Sequence, residues 1–273
     1  MTRRKLNGKR FILVNGNMIN SVAIVGSGNV ATHMAKAIFN ARVEVKYICS
    51  PTLDNCVALA SKVNAIAIDS VEKIDGNVDL IIISIKDNAI KEVVEKLRGV
   101  NSIIVHTSGG INIDVFEGIT NRCGVLYPLQ TFSKNRELDF SKIPLFIEAY
   151  DKNILSEIEE FAKRLSDSVI EADSSRRKIM HVAAVFACNF VNHCYDIASQ
   201  ILEKEGIQFD VLLPLIEETT KKISEITPHD AQTGPARRGD TDVMNAHLQH
   251  IDSSLNKEIY TLLSKSITDS YKK

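Results

Sequence analysis

Along the first half of the chain, short apolar runs typical of buried strands alternate with segments typical of amphipathic helices. Apolar runs of the length and character of buried strands occur at 22–25, 43–49, 65–68, 78–85, 102–107 and 124–133 (the last a strand and turn), with an edge strand predicted at 144–147. Segments typical of amphipathic helices occur at 30–41, 53–62, 87–97 and 153–165. Because strands that alternate with helices build βαβ units, the pattern predicts a parallel sheet with ligands at the carboxyl ends of its strands.

Strand signals stop at about residue 173, and helical signals replace them. One long helix is predicted over 174–203, with Ser174 as its N-cap, and further helices over 210–226, 241–250 and 255–270, with a loop at 227–240. The centre of the long helix is apolar on nearly every face, and such a helix must be covered by protein on several sides. We therefore predict a homodimer that forms through this helix.

The predicted fold class is α/β, in which a Rossmann-like, doubly wound parallel sheet is followed by an all-α domain. The predicted divisions are a flexible tail at 1–17, a dinucleotide-binding domain at 18–172 and a helical substrate and dimerisation domain at 173–273. The tail carries five basic residues among its first ten, and its apolar run at 11–14 is too short for a signal sequence or a membrane span.

Composition narrows the possible partners. The 273 residues are 44% hydrophobic with a net charge of −1, which gives no electrostatic reason to expect nucleic acid or a membrane surface as a partner. The five cysteines form no CxxC pair and are odd in number, as in proteins of a reducing compartment. We expect reduced thiols and a cytoplasmic location.

The stretch SVAIVGSGNVA, at 21–31, carries the first functional signal. An apolar strand ends at Gly26, a second glycine follows at Gly28, and Ala31 takes the third position of the GxGxxG/A fingerprint. Glycines at this spacing let the backbone approach a pyrophosphate at a helix N-terminus. The stretch predicts a dinucleotide site, with an ordinary βα turn as the alternative.

The end of the second predicted strand bears on the choice of cofactor. NAD enzymes usually carry an acidic residue there for the ribose 2′-OH, but this chain has Cys49-Ser50-Pro51-Thr52. An acid would repel a 2′-phosphate, whereas hydroxyls and amides can accept one. The sequence therefore favours NADP, with NAD left open because no basic residue stands at this position.

Six motifs in order, GSGNVA, IIISIKDNAI, HTSGG, YPLQTFS, HVAAVFACNF and GPARRGD, make the chain resemble one family from about residue 21 to its end. It is the group of NADP oxidoreductases with a Rossmann-like domain before an all-helical domain, related to pyrroline-5-carboxylate reductase, ketopantoate reductase and prephenate dehydrogenase. Prephenate dehydrogenases have His where this chain has Tyr127, so their substrate does not carry over. The resemblance and the predicted strand ends together give these cofactor-binding residues: Gly26, Ser27, Gly28, Asn29, Val30, Ser50, Thr52, Ser84, His106, Thr107 and Ser108.

The resemblance also implies where the substrate binds. Relatives place a Lys and an Asn on the helix that here carries His181 and Asn189, so His181 is expected to exchange the proton and Asn189 to hold the substrate. Lys86 is the third predicted catalytic residue, and Gly109, Arg237 and Arg238 are predicted to bind substrate, the arginines by clamping a carboxylate. Structural roles are the alternatives: polar contacts within a buried helix for His181 and Asn189, a packed strand end for His106, a solvated Lys86, and surface arginines in a capped loop.

Other chemistries find little support in the sequence. His247 and His250 lack the further ligands that a metal requires, and no cysteine is paired with a histidine in a nucleophile pattern. The main hypothesis is an NADP-dependent oxidoreductase acting on a small polar, anionic C=O or C=N substrate. The alternatives are a non-catalytic NADP-binding sensor or interaction protein and, third, an enzyme whose redox partner is a deazaflavin.

Overall fold

The computed structural model describes residues 18–272, so the predicted tail at 1–17 lies outside the described residues. Packing divides the chain into two compact units, of which the first ends at Val185 and the second begins at Phe186. The predicted domain boundary at 172/173 stays a prediction, although the helix that begins at Ser174 packs with the first unit as far as Ala184.

Eight strands of the first unit form one sheet in the order β3-β2-β1-β4-β5-β6-β7-β8. Only β6 and β7 pair antiparallel. The strands are β1 (Ser21–Val25), β2 (Glu44–Cys49), β3 (Ile66–Ile68), β4 (Leu80–Ile83), β5 (Ile103–His106), β6 (Cys123–Pro128), β7 (Leu145–Ala149) and β8 (Val169–Glu171). The order 3-2-1-4-5-6 is that of a doubly wound dinucleotide-binding fold, which confirms the predicted fold class.

The central strands are apolar throughout because both faces of the sheet are covered. Ile81 and Ile83 pack in one core cluster, whereas Leu80 and Ile82 pack in the cluster on the opposite face. Helices α1 (Asn29–Asn40), α2 (Leu53–Ala60), α3 (Asp87–Lys96) and α4 (Lys152–Lys163) connect the strands. Each helix presents an apolar stripe to the sheet, and in α1 the stripe includes Ala31, Met34 and Ile38, at the three- and four-residue spacing that an α-helix requires.

Two strands differ from the prediction. The predicted edge strand at 144–147 corresponds to β7, which pairs with β6 on one side and β8 on the other and so is an interior strand. The edge on this side of the sheet is β8, whose three residues, VIE, form no uniform apolar run. β8 pairs with β7 because α4, which lies between them in the chain, returns the chain to the same sheet.

The remaining helices are α5 (Ser174–Ala184), α6 (Val191–Lys204), α7 (Leu213–Glu225), α8 (Pro228–Ala231), α9 (Pro235–Arg238), α10 (Thr241–Gln249) and α11 (Ser254–Tyr271). The predicted loop at 227–240 thus contains two single-turn helices, each opened by a proline at its first position. Among the described residues no helix is long and apolar enough to cross a membrane.

The predicted long helix is interrupted. A π-helical turn at Val185–Phe190 separates α5 from α6, and it coincides with the division between the units. The N-cap is Asp173, whose side chain accepts a hydrogen bond from the Arg176 amide. Ser174, the predicted cap, is buried and donates to Glu148 instead.

Candidate functional site

A cavity of about 940 Å³ lies over the carboxyl ends of β1, β2, β4, β5 and β6. Its volume falls within the range of small-molecule and cofactor sites. All of its lining residues belong to the first unit. Of the predicted site residues, the structure brings together Gly26, Ser27, Gly28, Asn29, Val30, Ser50, Ser84, Lys86, Thr107, Ser108, Gly109 and His181. Thr52 and His106 are not among the lining residues.

Gly26 is where the strand turns into the cavity. Its φ of +123° is strained for any residue with a side chain, and a Cβ there would lie 2.1 Å from the Ser84 carbonyl oxygen. The Gly26 amide donates to the Cys49 carbonyl at 2.7 Å. The glycine therefore lets the ends of three neighbouring strands, β2, β1 and β4, meet closely at the point where the chain order of the sheet reverses.

Gly28 opens the N-terminus of α1 to the cavity. A Cβ at Gly28 would have no heavy atom within 4 Å, no side chain caps the helix, and no acidic residue stands in its first turn. Amides at a helix N-terminus that lack a side-chain acceptor form an anion site with favourable helix dipole. The residues present therefore fit the pyrophosphate of a dinucleotide.

Hydroxyls and acids line the β2–β3 side of the cavity. The Ser27 hydroxyl donates to the Ser50 hydroxyl at 3.0 Å. Asp69 and Glu72, which follow β3, also line this side, and the ammonium of Lys73 lowers the pKa of the Asp69 carboxyl. The two carboxylates were not predicted, because the expected cofactor preference depended on the end of β2 alone.

Tyr127 and His181 form the opposite end of the cavity. The Tyr127 hydroxyl and His181 Nδ1 are hydrogen-bonded at 3.1 Å, and both residues line the cavity. Tyr127 is buried, and burial raises the pKa of its hydroxyl. Tyr127 follows the apolar run of β6, at a strand end like the other predicted site residues, and this position is the signal that could have found it.

A fully buried arginine connects this end of the cavity to α5. Arg177 Nε donates to the Ser108 carbonyl at 3.1 Å, and its terminal nitrogens donate to the Ile111 carbonyl, the Ser174 hydroxyl and the Glu148 carboxylate. Arg177 stands one helical turn before His181, so the network fixes the loop after β5 and the helix that carries His181 together. The role of Arg177 was not predictable from local sequence, because these contacts join residues that are distant in the chain.

His106 supports the same loop from inside the sheet. Its Nδ1 accepts a hydrogen bond from the Ser108 amide at 3.2 Å, and its ring stacks on Phe116. Burial, with a smaller effect of the Arg177 charge, lowers the pKa of His106 to about 3, so the ring is neutral. Its Nε2 has no hydrogen-bond partner among the described residues. The predicted role of His106 in cofactor binding stays a prediction.

Three predicted residues belong to the second unit. Asn189 lies in the π-helical turn. The Arg237 guanidinium lies 5.1 Å from the centre of the Tyr271 ring and donates to the Gln232 carbonyl, and Arg238 donates to Asp240 at 2.8 Å. These contacts account for both arginines locally, and the predicted substrate roles of all three residues stay predictions. Between residues 18 and 272, no three His, Cys, Asp or Glu side chains are grouped as metal ligands.

Comparison with family models gave two matches. Residues 21–110 match "NADP oxidoreductase coenzyme F420-dependent", and residues 143–267 match a domain of unknown function. A comparison with curated proteins found no match.

Comparison with solved structures extends the likeness to nearly the whole chain. BF3122 from Bacteroides fragilis, described as a putative NADP oxidoreductase, is 40% identical, with 92% of this chain and 98% of that chain covered and a TM-score of 0.89. TM1727 from Thermotoga maritima is 20% identical over 92% of this chain and 98% of its own, with a TM-score of 0.67. A pyrroline-5-carboxylate reductase from Coxiella burnetii is 13% identical over 93% and 98%, with a TM-score of 0.58.

The two more distant structures show the fold, whereas the identity and coverage of the Bacteroides protein show the family. The family description supports NADP as the cofactor, which was the cofactor favoured from the strand end at Ser50. The chain belongs to the NADP oxidoreductase family, and its oxidoreductase segment is followed by the matched domain of unknown function.

Proposed function

We propose that this protein transfers a hydride between NADP(H) and a small polar, anionic substrate with a C=O or C=N group. The observation that carries the proposal is one continuous cavity lined both by the open N-terminus of α1 and by the Tyr127–His181 pair. NADPH, when bound, supplies the hydride. The protein must then bind the diphosphate, orient the substrate and move one proton.

The chain's own residues match these tasks along the sheet. Amides after Gly28 bind the diphosphate at the helix N-terminus, and the hydroxyls of Ser27 and Ser50 face the adenosine side. Across the switch point, the ends of β4 and β5 form the other half of the crevice, where a dinucleotide places its second nucleotide. Lys86 lines this half and offers a positive charge to an anionic substrate, while His181 takes part in proton exchange.

The cofactor choice is tested by binding alone. We expect NADPH to bind at least tenfold more tightly than NADH, because the end of β2 carries hydroxyls and no acid to pair with a ribose 2′-OH. Titration of the purified protein by cofactor fluorescence measures both dissociation constants. A tenfold preference for NADH would contradict the proposal. It would point to Asp69 and Glu72 as the acidic residues that pair with the ribose 2′-OH.

Catalysis is tested by following NADPH oxidation at 340 nm with a panel of acceptors. The panel contains 2-oxo acids, cyclic imino acids and the deazaflavin coenzyme F420, which the description of the matched family model names. We expect turnover with an acid-bearing C=O or C=N compound. Turnover with the deazaflavin alone would identify it, and not an organic compound, as the hydride acceptor. Tight NADPH binding without turnover of any acceptor would favour the non-catalytic sensor.

We also propose a homodimer that forms through the second unit. Several large apolar side chains of this unit are exposed in the single chain, among them Phe186 at 65%, Leu215 at 64% and Leu262 at 66%. Apolar side chains in this number are typical of an interaction surface rather than of a solvated monomer. Sedimentation velocity is expected to give about twice the chain mass of 30.3 kDa. A monomer at micromolar concentration would contradict the dimer.

A cytoplasmic location remains part of the proposal. All five cysteines are free thiols, and three of them, Cys49, Cys56 and Cys123, are buried where no second cysteine is bonded to them. Unpaired thiols are typical of proteins that stay in a reducing compartment. Recovery of the protein outside the cytoplasmic fraction of its cells would exclude this location.

A further inference from the structure

The position of Tyr127 in the sheet distinguishes it from an ordinary core tyrosine. It stands at the carboxyl end of β6, beside the end of β5, where Thr107, Ser108 and Gly109 line the cavity. This is the side of the switch point opposite to Ser50, the residue on the adenosine side. Its ring packs on Phe146 at a centroid distance of 6.3 Å, which holds the hydroxyl in place.

The hydroxyl is paired with a histidine that reaches solvent. His181 Nδ1 lies 3.1 Å from the Tyr127 oxygen, and the two rings meet edge to face at 75°. Tyr127 is 8% exposed, whereas His181 is exposed. A buried hydroxyl at the cavity wall is therefore connected by one hydrogen bond to a titratable ring that can exchange protons with water.

Gly109 provides the space for this pair. A Cβ at this position would lie 2.8 Å from His181 Nδ1 and 2.9 Å from Tyr127 Cζ. Both distances are shorter than a carbon tolerates, so any side chain at 109 would push the two rings apart. The close approach of three separate segments, the ends of β5 and β6 and the helix α5, thus places the hydrogen bond at the cavity wall.

We infer that the Tyr127 hydroxyl donates the proton in the reaction and that His181 restores it, an inference that rests on the proposed function. When the substrate carbon accepts the hydride, the C=O or C=N π pair becomes a lone pair on oxygen or nitrogen. The Tyr127 O–H bond breaks as the new O–H or N–H bond forms. His181 Nδ1–H then reprotonates the tyrosyl oxygen while Nε2 takes one proton from solvent, which restores the starting charge. Exchange of the exposed imidazole with water then moves its proton from Nε2 back to Nδ1, so the site also regains its starting tautomer.

This relay requires one direction of the hydrogen bond. His181 Nδ1–H must donate to the Tyr127 oxygen, because a tyrosine that donates to Nδ1 has no proton directed at a substrate. Burial raises the pKa of Tyr127, so the hydroxyl is protonated at neutral pH, and a hydrogen bond from His181 Nδ1–H would stabilise the tyrosinate that forms as the proton leaves. The tautomer of neutral His181 therefore decides whether the relay can operate. The measurement must show which ring nitrogen carries the proton.

Nitrogen-15 NMR of the full chain labelled in its seven histidines measures that tautomer without cofactor or substrate. The His181 resonances are assigned by their loss in His181→Gln. We expect neutral His181 to carry its proton on Nδ1 in the wild type and to shift towards the Nε2–H form in Tyr127→Phe. Tyr47→Phe is the matched control, because Tyr47 is equally buried at 8% but bonds Asp75 away from the cavity, and it should leave His181 unchanged. Gly109→Ala keeps both groups and should weaken the bias by separating them.

The outcomes separate this inference from the proposed function. An unprotonated Nδ1 in the neutral wild-type ring overturns the relay, whatever the variants do, and leaves NADPH binding and turnover intact. With any acceptor that the panel identifies, Tyr127→Phe should lower kcat about 100-fold or more while the NADPH dissociation constant stays within twofold. Unchanged kcat overturns the relay as well. Failure of the wild type to bind NADPH would instead contradict the proposed function.

Discussion

Replacing Arg177 with alanine is expected to lower the free energy of unfolding by about 3–5 kcal/mol, the cost of removing one partner from a buried ion pair. The guanidinium is fully buried, and its loss would leave the Glu148 carboxylate without its cation and the carbonyls of Ser108 and Ile111 without this donor. Urea unfolding followed by circular dichroism measures the change.

Arg176→Ala is the matched control for this variant. Arg176 precedes Arg177 on α5 but is exposed, so its loss should change stability by no more than about 0.5 kcal/mol. A loss below about 1 kcal/mol for Arg177→Ala would show that the network contributes little to folding. Because the same arginine holds the loop after β5, folded Arg177→Ala should also lose protection of the 108–111 amides in hydrogen exchange.

Gly28→Asp is expected to weaken cofactor binding without lowering the stability of the fold. Gly28 is the N-cap of α1 with extended backbone, and aspartate is among the most favourable N-cap residues, so stability should stay the same or rise by a few tenths of a kcal/mol. The new carboxylate would occupy the open space that the diphosphate requires and would repel it. NADPH affinity should therefore fall at least 100-fold, about 2.7 kcal/mol.

Isothermal titration with NADPH and thermal unfolding measure the two effects on the same preparation. Gly76→Asp is the control: Gly76 is exposed, has open space around its Cα and lies outside the cavity lining, so it adds the same charge elsewhere. Retained affinity in Gly28→Asp would show that the diphosphate does not bind at the N-terminus of α1.

Most strands and helices of the first unit could be predicted from local sequence. The uniform apolar runs of β1 and β4 exist because each strand is covered on both faces, and that burial is visible in the residues themselves. The glycine spacing after β1 is likewise visible in the sequence, because the positive φ of Gly26 and the open space at Gly28 are properties of those positions themselves. The strand β8 was missed because its residues, VIE, form no uniform apolar run, unlike the equally short β3, IAI. The interior position of β7 depends on pairing with strands on both sides.

The candidate site was predictable where it depends on strand ends and not where it depends on packing between distant segments. Gly26 and Ser84 stand directly after apolar runs, so the sequence located them. Tyr127 also stands at a strand end, but its hydrogen bond to His181 joins distant segments. The contact of Arg177 with Ser108 does so as well, and no local pattern contains either contact. The π-helical turn was equally hidden, since its residues, VFACNF, also suit an ordinary α-helix.

The antiparallel strand β7 has a consequence for how this protein can evolve. The family model for the domain of unknown function begins at residue 143, so the matched segment includes β7, α4 and β8, which complete the sheet of the first unit. Exchange of this segment for another at residue 143 would have to rebuild the pairing of β7 with β6 at every position from Gly124 to Pro128. Neither matched segment contains the whole sheet, so a substitution at the β6–β7 seam must be compatible with both.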